Sequence, residues 1–153
     1  MAAPGRPAFH LDGPDPVELI ETHISWVFLA GPLVYKVKKP VVFPFLDYGT
    51  LERRRALCDE EVRLNRRLAP SIYRGVRALA GRDDGWALAE DPDDPEAAEY
   101  AVEMRRFDEG ATLAAMLARG EATTGHMREL GRRLAAFHRD AEHAGQPLSL
   151  IHI

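Results

Sequence analysis

The chain has 153 residues, of which 46% are hydrophobic, and its 20 basic and 24 acidic side chains leave a net charge of −4. This balance is typical of a globular domain and argues against wholesale disorder. It also disfavours a dedicated nucleic-acid-binding protein, which needs a surplus of positive charge to displace counterions. Cys58 is the single cysteine, so the sequence excludes an internal disulfide and a metal site built from several cysteines.

No stretch of the sequence has the pattern of a secretion signal or a membrane span. The first residues lack an apolar core, and the most apolar stretch, Ile24–Val37, is interrupted by Gly31, Pro32 and Lys36. We therefore expect a cytoplasmic protein that has neither a membrane nor a nucleic acid among its partners. Reducing cytosol also suits a chain with one cysteine.

Both ends of the chain are predicted to lie outside the folded part. Residues 1–14 are rich in proline and glycine and are expected to form a flexible lead-in. Residues 148–153, LSLIHI, match the translation of a transposon-end adaptor used in sequencing libraries. We interpret them as a non-native tail that interrupts a longer reading frame. The native alternative is a short apolar tail that closes a sheet.

Turn residues and hydrophobic periodicity predict the elements of the first half of the chain. Asp15 and Pro16 are typical of a helix start, and runs of β-branched and aromatic residues are typical of strands. Pro40 and Pro44 exclude the segment VVFPF from regular pairing. The predicted elements are a short helix at Pro16–Glu21, strands at Ile24–Leu29 and Leu33–Lys39, and a long helix at Leu51–Leu68 that Pro70 ends.

The second half of the chain is predicted to change from strands to helices. The predicted elements are strands at Val76–Ala80, Trp86–Ala89 and Tyr100–Met104, an acidic loop at Asp91–Glu96, and helices at Leu113–Leu117 and Glu129–His143. Because a sheet-rich part precedes a helical part, we predict the α+β fold class.

Lys36 and Glu61 are the residues with the clearest chemical meaning. Lys36 lies within a predicted strand, on the same face as Lys38. Glu61 falls near the centre of the apolar face of the long helix, whereas Glu60 falls outside it. That apolar face consists of Leu51, Leu57, Cys58, Val62, Leu64, Leu68 and Ala69. A buried carboxylate needs a cationic partner, so we predict that Glu61 pairs with Lys36. Such a pair either only fixes the packing or holds a lysine that grips phosphate oxygens.

A hairpin, a strand lysine and an inward-facing helical glutamate together resemble the N-lobe of protein-kinase-like folds, specifically the aminoglycoside phosphotransferase-like group. The similarity is strongest to a bacterial subfamily of predicted kinases in which this domain often precedes a P-loop ATPase domain. It is carried by Glu21–Val76 and by EYAVEMRRFDEG at Glu99–Gly110, and more weakly by LAAFHRDAE at Leu134–Glu142.

The resemblance implies a kinase-like N-lobe, an antiparallel sheet plus a long helix, over residues 15–107. Residues 108–147 would be the first helices of a truncated C-lobe. The implied cofactors are ATP and Mg²⁺, with the metal ligands and the catalytic loop in the missing C-lobe, so we assign no catalytic residue and no metal ligand here. The implied parent is an ATP-dependent phosphotransferase with a small-molecule acceptor and a covalently linked P-loop ATPase domain.

The resemblance also implies the roles of six residues by position. Lys36 would grip the nucleotide phosphates and Glu61 would be its helical partner. Thr22 and Ser25 fall where the phosphate-covering loop joins the first two strands, although the loop contains no glycine and Ser25 could equally begin a strand. The last two residues fall at the hinge that holds adenine, through the carbonyl of Arg105 and the amide of Phe107.

His138-Arg139-Asp140 spells the kinase catalytic-loop signature, but we predict that it belongs to a helix. Gly145 stands where the signature places a metal-binding asparagine. We expect His138 to face a helical core and Asp140 to face solvent. We further expect that this chain alone catalyses no phosphoryl transfer and binds nucleotide weakly.

Two other function classes remain open at this point. One is a non-catalytic nucleotide-sensing or regulatory module attached to an ATPase domain. The other is a scaffold that binds no nucleotide.

Overall fold

The computed structural model describes residues 7–11 and 16–141, so the expected tail at 148–153 and most of the expected lead-in lie outside the described residues. Its architecture is α+β, a large and mostly antiparallel sheet with a few helices. Contacts between backbone positions divide the chain into two units, one through Arg106 and one from Phe107. No helix in the described ranges is both long and apolar enough to cross a membrane.

Seven strands of the first unit form one sheet. They are β1 (Ala8–His10), β2 (Val17–Glu21), β3 (Ser25–Ala30), β4 (Leu33–Lys38), β7 (Tyr73–Arg82), β8 (Gly85–Leu88) and β9 (Glu99–Arg105). Their order across the sheet is β1-β8-β7-β9-β4-β3-β2, and every neighbouring pair is antiparallel except β1 and β8. The prediction that VVFPF stays out of regular pairing was wrong: its Val42–Phe43 form β5, which pairs antiparallel with β6 (Leu46–Asp47) in a separate two-stranded sheet.

The β3–β4 hairpin decides which side chains share a face of the sheet. It turns at Gly31, whose φ of 53° lies in the left-handed region that glycine adopts without a steric penalty. The register places Ser25 opposite Lys38 and Val27 opposite Lys36. Since side chains alternate along a strand, Lys36 and Lys38 lie on one face of β4, as predicted.

The sheet buries both of its faces. One face carries an aromatic core in which Phe9 stacks on Phe28 with ring centroids 4.8 Å apart; the other buried members are Trp26, Ala30, Tyr35, Val37, Leu79 and Ala101. The opposite face packs against helix α1 (Leu51–Asn65) through Cys58 and Val62, which contact Val102. Burying a large apolar side chain contributes about 1.5–3 kcal/mol, so the burial of Val62 helps to hold α1 against the sheet.

Helix α1 begins as the sequence predicts but ends three residues earlier. The Thr50 hydroxyl caps its start by accepting a hydrogen bond from the Arg53 amide. After Asn65 the backbone changes to the tighter i→i+3 pattern, in which the Leu68 amide donates to the Asn65 carbonyl. Leu68 is therefore not helical and is exposed, and Leu64 is exposed as well, so the predicted apolar face was too wide.

Two predictions for the N-terminal region were wrong. Ala8–His10 is not a loose lead-in but strand β1, because Phe9 inserts into the aromatic core and the strand pairs with β8. Pro16–Glu21 does not contain a helix: Val17–Glu21 is strand β2, paired along its whole length with β3. Alternate residues of β2, Val17 and Leu19, pack on the core, so sheet pairing prevails over the local helix-start residues.

The second unit contains helices α2 (Leu113–Ala118) and α3 (Thr124–Arg139). Helix α3 starts before the predicted Glu129 because Thr123 and His126 form a capping box. It ends at Arg139, before the predicted end at His143, which lies outside the described residues. His138 is helical, as predicted, but it is exposed and does not face a core, whereas Asp140 faces solvent as expected.

Candidate phosphate-binding site

Glu61 of α1 reaches the sheet and binds two lysines of β4. Its Oε1 lies 2.9 Å from Lys36 Nζ, and its Oε2 lies 2.5 Å from Lys38 Nζ. We call these three residues the Glu61 cluster. The predicted ion pair between Lys36 and Glu61 is confirmed. Glu60, the rejected alternative, pairs instead with Arg63 on the outer surface of the helix.

The two lysines of the Glu61 cluster differ in their exposure. The side chain of Lys38 is only 3% exposed and that of Lys36 is 31% exposed. Lys38 Nζ also lies 5.2 Å from the centre of the Tyr48 ring, which adds a cation–π contact. Lys38 is therefore enclosed by protein, whereas the side chain of Lys36 is partly exposed beside the same carboxylate.

Glu61 and Lys38 are charged at neutral pH. Burial works to raise the pKa of Glu61, but hydrogen bonds from Lys38 and Lys36 outweigh it and hold this pKa below its ordinary value. Burial likewise works to lower the pKa of Lys38, and its hydrogen bond and charge interaction with Glu61 raise that pKa above its ordinary value. The buried charges of Glu61 and Lys38 thus stabilise each other.

The sequence reasoning missed Lys38 as the second partner of Glu61. The signal was present, because alternation along β4 places Lys36 and Lys38 on one face. The sequence does not give the distances between the lysine side chains and the helix. Those distances allow the single carboxylate of Glu61 to bind both lysines.

A second buried ion pair, which the sequence reasoning also missed, fixes the other end of α1. The Arg54 guanidinium binds both carboxylate oxygens of Glu99 on β9 and donates to the Tyr48 carbonyl at 2.9 Å. Burial raises the pKa of Glu99 although Arg54 acts in the opposite direction. Arg54 and Glu61 are seven residues apart, so they lie on the same face of the helix. Together the two pairs set the rotation of α1 on the sheet.

Cys58 lies between these two ion pairs as a core residue, in agreement with its predicted place on the apolar face of the helix. It is fully buried against Val62 and Val102. Burial raises the pKa of its thiol to about 12, so the thiolate that nucleophilic chemistry requires does not form near neutral pH.

The loop between β2 and β3 contains Thr22 and leads into Ser25, and the hydroxyl groups of these residues are hydrogen-bonded within the turn or buried. The Thr22 hydroxyl accepts a hydrogen bond from the Ser25 amide at 3.0 Å and donates to the Ser25 carbonyl at 3.1 Å. Ser25 begins β3 and is 1% exposed, and its hydroxyl has no hydrogen-bond partner within the described residues. The Thr22 side chain therefore stabilises the turn, and the Ser25 side chain is buried at the start of β3.

Arg105 and Phe107 lie on either side of the boundary between the two units. Arg105 ends β9 opposite Leu33, and its amide donates to the Ile72 carbonyl at 2.8 Å. Phe107 begins the second unit and is 56% exposed. Their proposed contacts with adenine through backbone groups stay a prediction.

Comparison with known proteins gives relatives but no named function. The chain is 36% identical over 126 residues to the uncharacterized protein Rv2004c of Mycobacterium tuberculosis and to the uncharacterized protein Mb2027c of Mycobacterium bovis. The alignment covers 82% of this chain and 23% of each relative, so the chain spans about a quarter of the length of the curated relatives it matches. No protein-family model and no solved structure matches the chain significantly.

Proposed function

We propose that the first unit is the phosphate-gripping lobe of an ATP-dependent phosphotransferase similar to the aminoglycoside phosphotransferase-like kinases. The observation that carries this proposal is the contact between Lys36 and Glu61. Lys36 lies on the third of three consecutive antiparallel strands, β2, β3 and β4, and Glu61 lies on the helix that follows them. In protein kinases, a lysine on the third strand contacts the nucleotide phosphates and is held by a glutamate of the next helix.

Lys36 and Lys38 have different roles in this proposal. An ammonium group has three N–H donors, and Lys36 directs one of them to Glu61. Lys36 is partly exposed and can donate the others to a phosphate oxygen. Lys38 is enclosed, so it acts by positioning Glu61 and thereby Lys36. Under this proposal ATP and Mg²⁺ are the cofactors, and a C-lobe of the cytoplasmic parent protein binds the metal and a small hydroxyl-bearing acceptor.

Replacement of Lys36 tests the proposal most simply. Lys36→Met is expected to weaken the binding of ATP by about tenfold, because it removes a charge-assisted hydrogen bond to phosphate. Lys39→Met is the matched control: it removes the same charge three residues away, where Lys39 pairs with Glu21. Binding is measured by calorimetry with ATP concentrations into the millimolar range. Equal losses in the two variants, or no binding by the unmodified chain, would refute the assignment of Lys36.

The loop between β2 and β3 favours the second candidate, a nucleotide-sensing module without catalysis. It has no glycine, and both of its hydroxyl groups are engaged or buried within the chain. Such a loop offers only backbone amides to a phosphate and cannot close on it as a glycine-rich loop does. ATP turnover by the parent protein separates the candidates: the phosphotransferase consumes ATP when acceptor is present, and the sensing module binds ATP without consuming it.

A further inference from the structure

A pocket of about 520 Å³ lies on the first unit, beside the ends of β7 and β9. Four arginines and one acidic residue supply its charges, and they are Arg66, Arg74, Arg77, Arg105 and Glu103. We call it the arginine pocket. The chain as a whole is acidic, so a concentration of positive charge at this place is unexpected from composition.

The arginine pocket is separate from the Glu61 cluster. In the register of the sheet, Lys36 lies opposite Val102, whereas Arg77 lies opposite Ala101. Since neighbouring residues of β9 face opposite sides, Arg77 projects from the face that Lys36 does not share. Glu103 and Arg105 alternate with Val102 in the same way. Neither Lys36 nor Glu61 is among the residues that line the pocket.

Three of the four arginines have no carboxylate partner within the described residues. Arg74 binds Glu103 through its Nε, which accounts for the single acidic group. Arg66 donates to the backbone carbonyls of Tyr73 and Arg74, and these contacts fix its guanidinium without neutralising it. The side chain of Arg105 makes no hydrogen bond or ion pair with residues 7–11 or 16–141, which the structure describes. The charged residues of the pocket therefore carry a net charge of +3, because Glu103 balances one of the four arginines.

Arg77 adds an unsatisfied donor to this charge. Its Nε is buried and has no hydrogen-bond partner among the described residues. Its Nη2 makes only a long contact, 3.5 Å, with the Ala89 carbonyl oxygen among the described residues. A buried donor left unpaired is costly, and native structures pair nearly all of them with protein, water or ligand. An anionic oxygen in the pocket would supply the missing acceptor.

We propose that the arginine pocket binds the phosphate group of a small phosphomonoester. A phosphate dianion compensates two of the three unpaired guanidinium charges, and its three terminal oxygens can accept hydrogen bonds from several of these groups at once. A single carboxylate carries one charge and two oxygens, so it would leave more of the positive charge uncompensated than a phosphate does. This binding site is additional to the proposed nucleotide-binding function, because Lys36 and Glu61 do not line the pocket and its argument does not use them.

Calorimetric titration at low ionic strength tests the arginine pocket. The probes are glycerol 3-phosphate and inorganic phosphate, with acetate as the carboxylate comparison. Arg77→Gln is expected to weaken the binding of both phosphate probes by about tenfold, since it removes a charge-assisted donor. Arg82→Gln is the matched control: it removes the same charge from the same strand, and Arg82 is exposed outside the pocket. Arg105→Gln provides a second test with a side chain whose loss leaves no buried group unpaired.

The outcomes distinguish this proposal from its alternatives. Loss of binding in Arg77→Gln and Arg105→Gln, with binding retained in Arg82→Gln and Lys36→Met, supports the arginine pocket. Equal affinity for acetate would overturn the assignment of a phosphate ligand. An equal loss in Arg82→Gln, or a loss only in Lys36→Met, would overturn the assignment of the site. Circular dichroism of each variant shows whether a loss of binding comes from unfolding.

Discussion

Replacement of Glu61 by glutamine is expected to lower the free energy of unfolding at pH 7 by about 3 kcal/mol or more. The side chain of Lys38 is 3% exposed, and Glu61 is its carboxylate partner. Without that carboxylate, a buried ammonium either stays charged without compensation or loses its proton, and both outcomes destabilise the folded state. The measurement is urea-induced unfolding of the two proteins, followed by tryptophan fluorescence.

Glu60→Gln is the matched control for Glu61→Gln. Glu60 lies one residue away and pairs with Arg63 at the surface. Surface ion pairs of this kind contribute about 0–1 kcal/mol, so this variant should unfold at nearly the same urea concentration as the unmodified chain. Equal destabilisation of the two variants would show that the carboxylate of Glu61 does not support Lys38.

The difference in the free energy of unfolding between the unmodified chain and Glu61→Gln is also expected to depend on pH. The pKa of Glu61 lies below its ordinary value of 4.5 in the folded state, so the stability that it contributes is complete above pH 4.5 and is lost as pH falls through the folded value. The pKa of Lys38 lies above its ordinary value of 10.5, so its contribution is complete below pH 10.5 and is lost as pH rises further. The difference in the free energy of unfolding should therefore be largest between pH 4.5 and pH 10.5 and should decrease outside this range.

Arg54→Met is expected to cause a second large loss, of about 3–5 kcal/mol at pH 7. The side chain of Glu99 is 5% exposed, and Arg54 holds both of its carboxylate oxygens. The pKa of Glu99 is raised by burial even with this partner present, so the carboxylate without Arg54 is poorly accommodated. A carboxyl group with a raised pKa favours folding when protonated. The defect of Arg54→Met should therefore shrink as pH falls toward 4.5 and Glu99 takes up a proton.

The double variant Arg54→Met/Glu99→Met separates the effect of a stranded charge from the effect of lost packing. Apolar side chains of similar volume in place of a buried ion pair are often neutral or stabilising. We expect the double variant to recover most of the stability lost in Arg54→Met. A double variant as unstable as the single one would show that the ion pair itself, and not the uncompensated carboxylate, stabilises the attachment of α1.

The contact between Lys36 and Glu61 was predictable because it depends on local periodicity. Helical spacing places Glu61 toward the sheet, and the preceding hairpin is short enough to bring its lysines to the helix. Arg54 was not predicted because an arginine is usually assigned to the solvent-facing side of a helix. Its burial depends on Glu99, which is 45 residues away in the chain.

The errors near the N-terminus have a similar cause. Strand β1 pairs with β8, whose residues lie more than 70 positions further along, and a parallel pairing of that kind leaves no local pattern. Strand β2 contains helix-forming residues and follows a helix-start signal, yet five of its residues pair with β3. Local propensity is worth a few tenths of a kcal/mol per residue, and pairing within a large sheet outweighs it.

Nuclear magnetic resonance mapping of ATP binding tests the central claim most directly. The backbone amide spectrum of the chain is recorded while ATP is added with Mg²⁺, first to the unmodified chain and then to Lys36→Met. The proposed function predicts that the largest shifts occur in Val34–Lys38 and in the loop before Ser25, and that Lys36→Met needs about tenfold more ATP to reach the same shifts. Shifts confined to Arg74, Arg77 and Arg105, or no shifts at millimolar ATP, would contradict the assignment of the Glu61 cluster as the site that grips nucleotide phosphates.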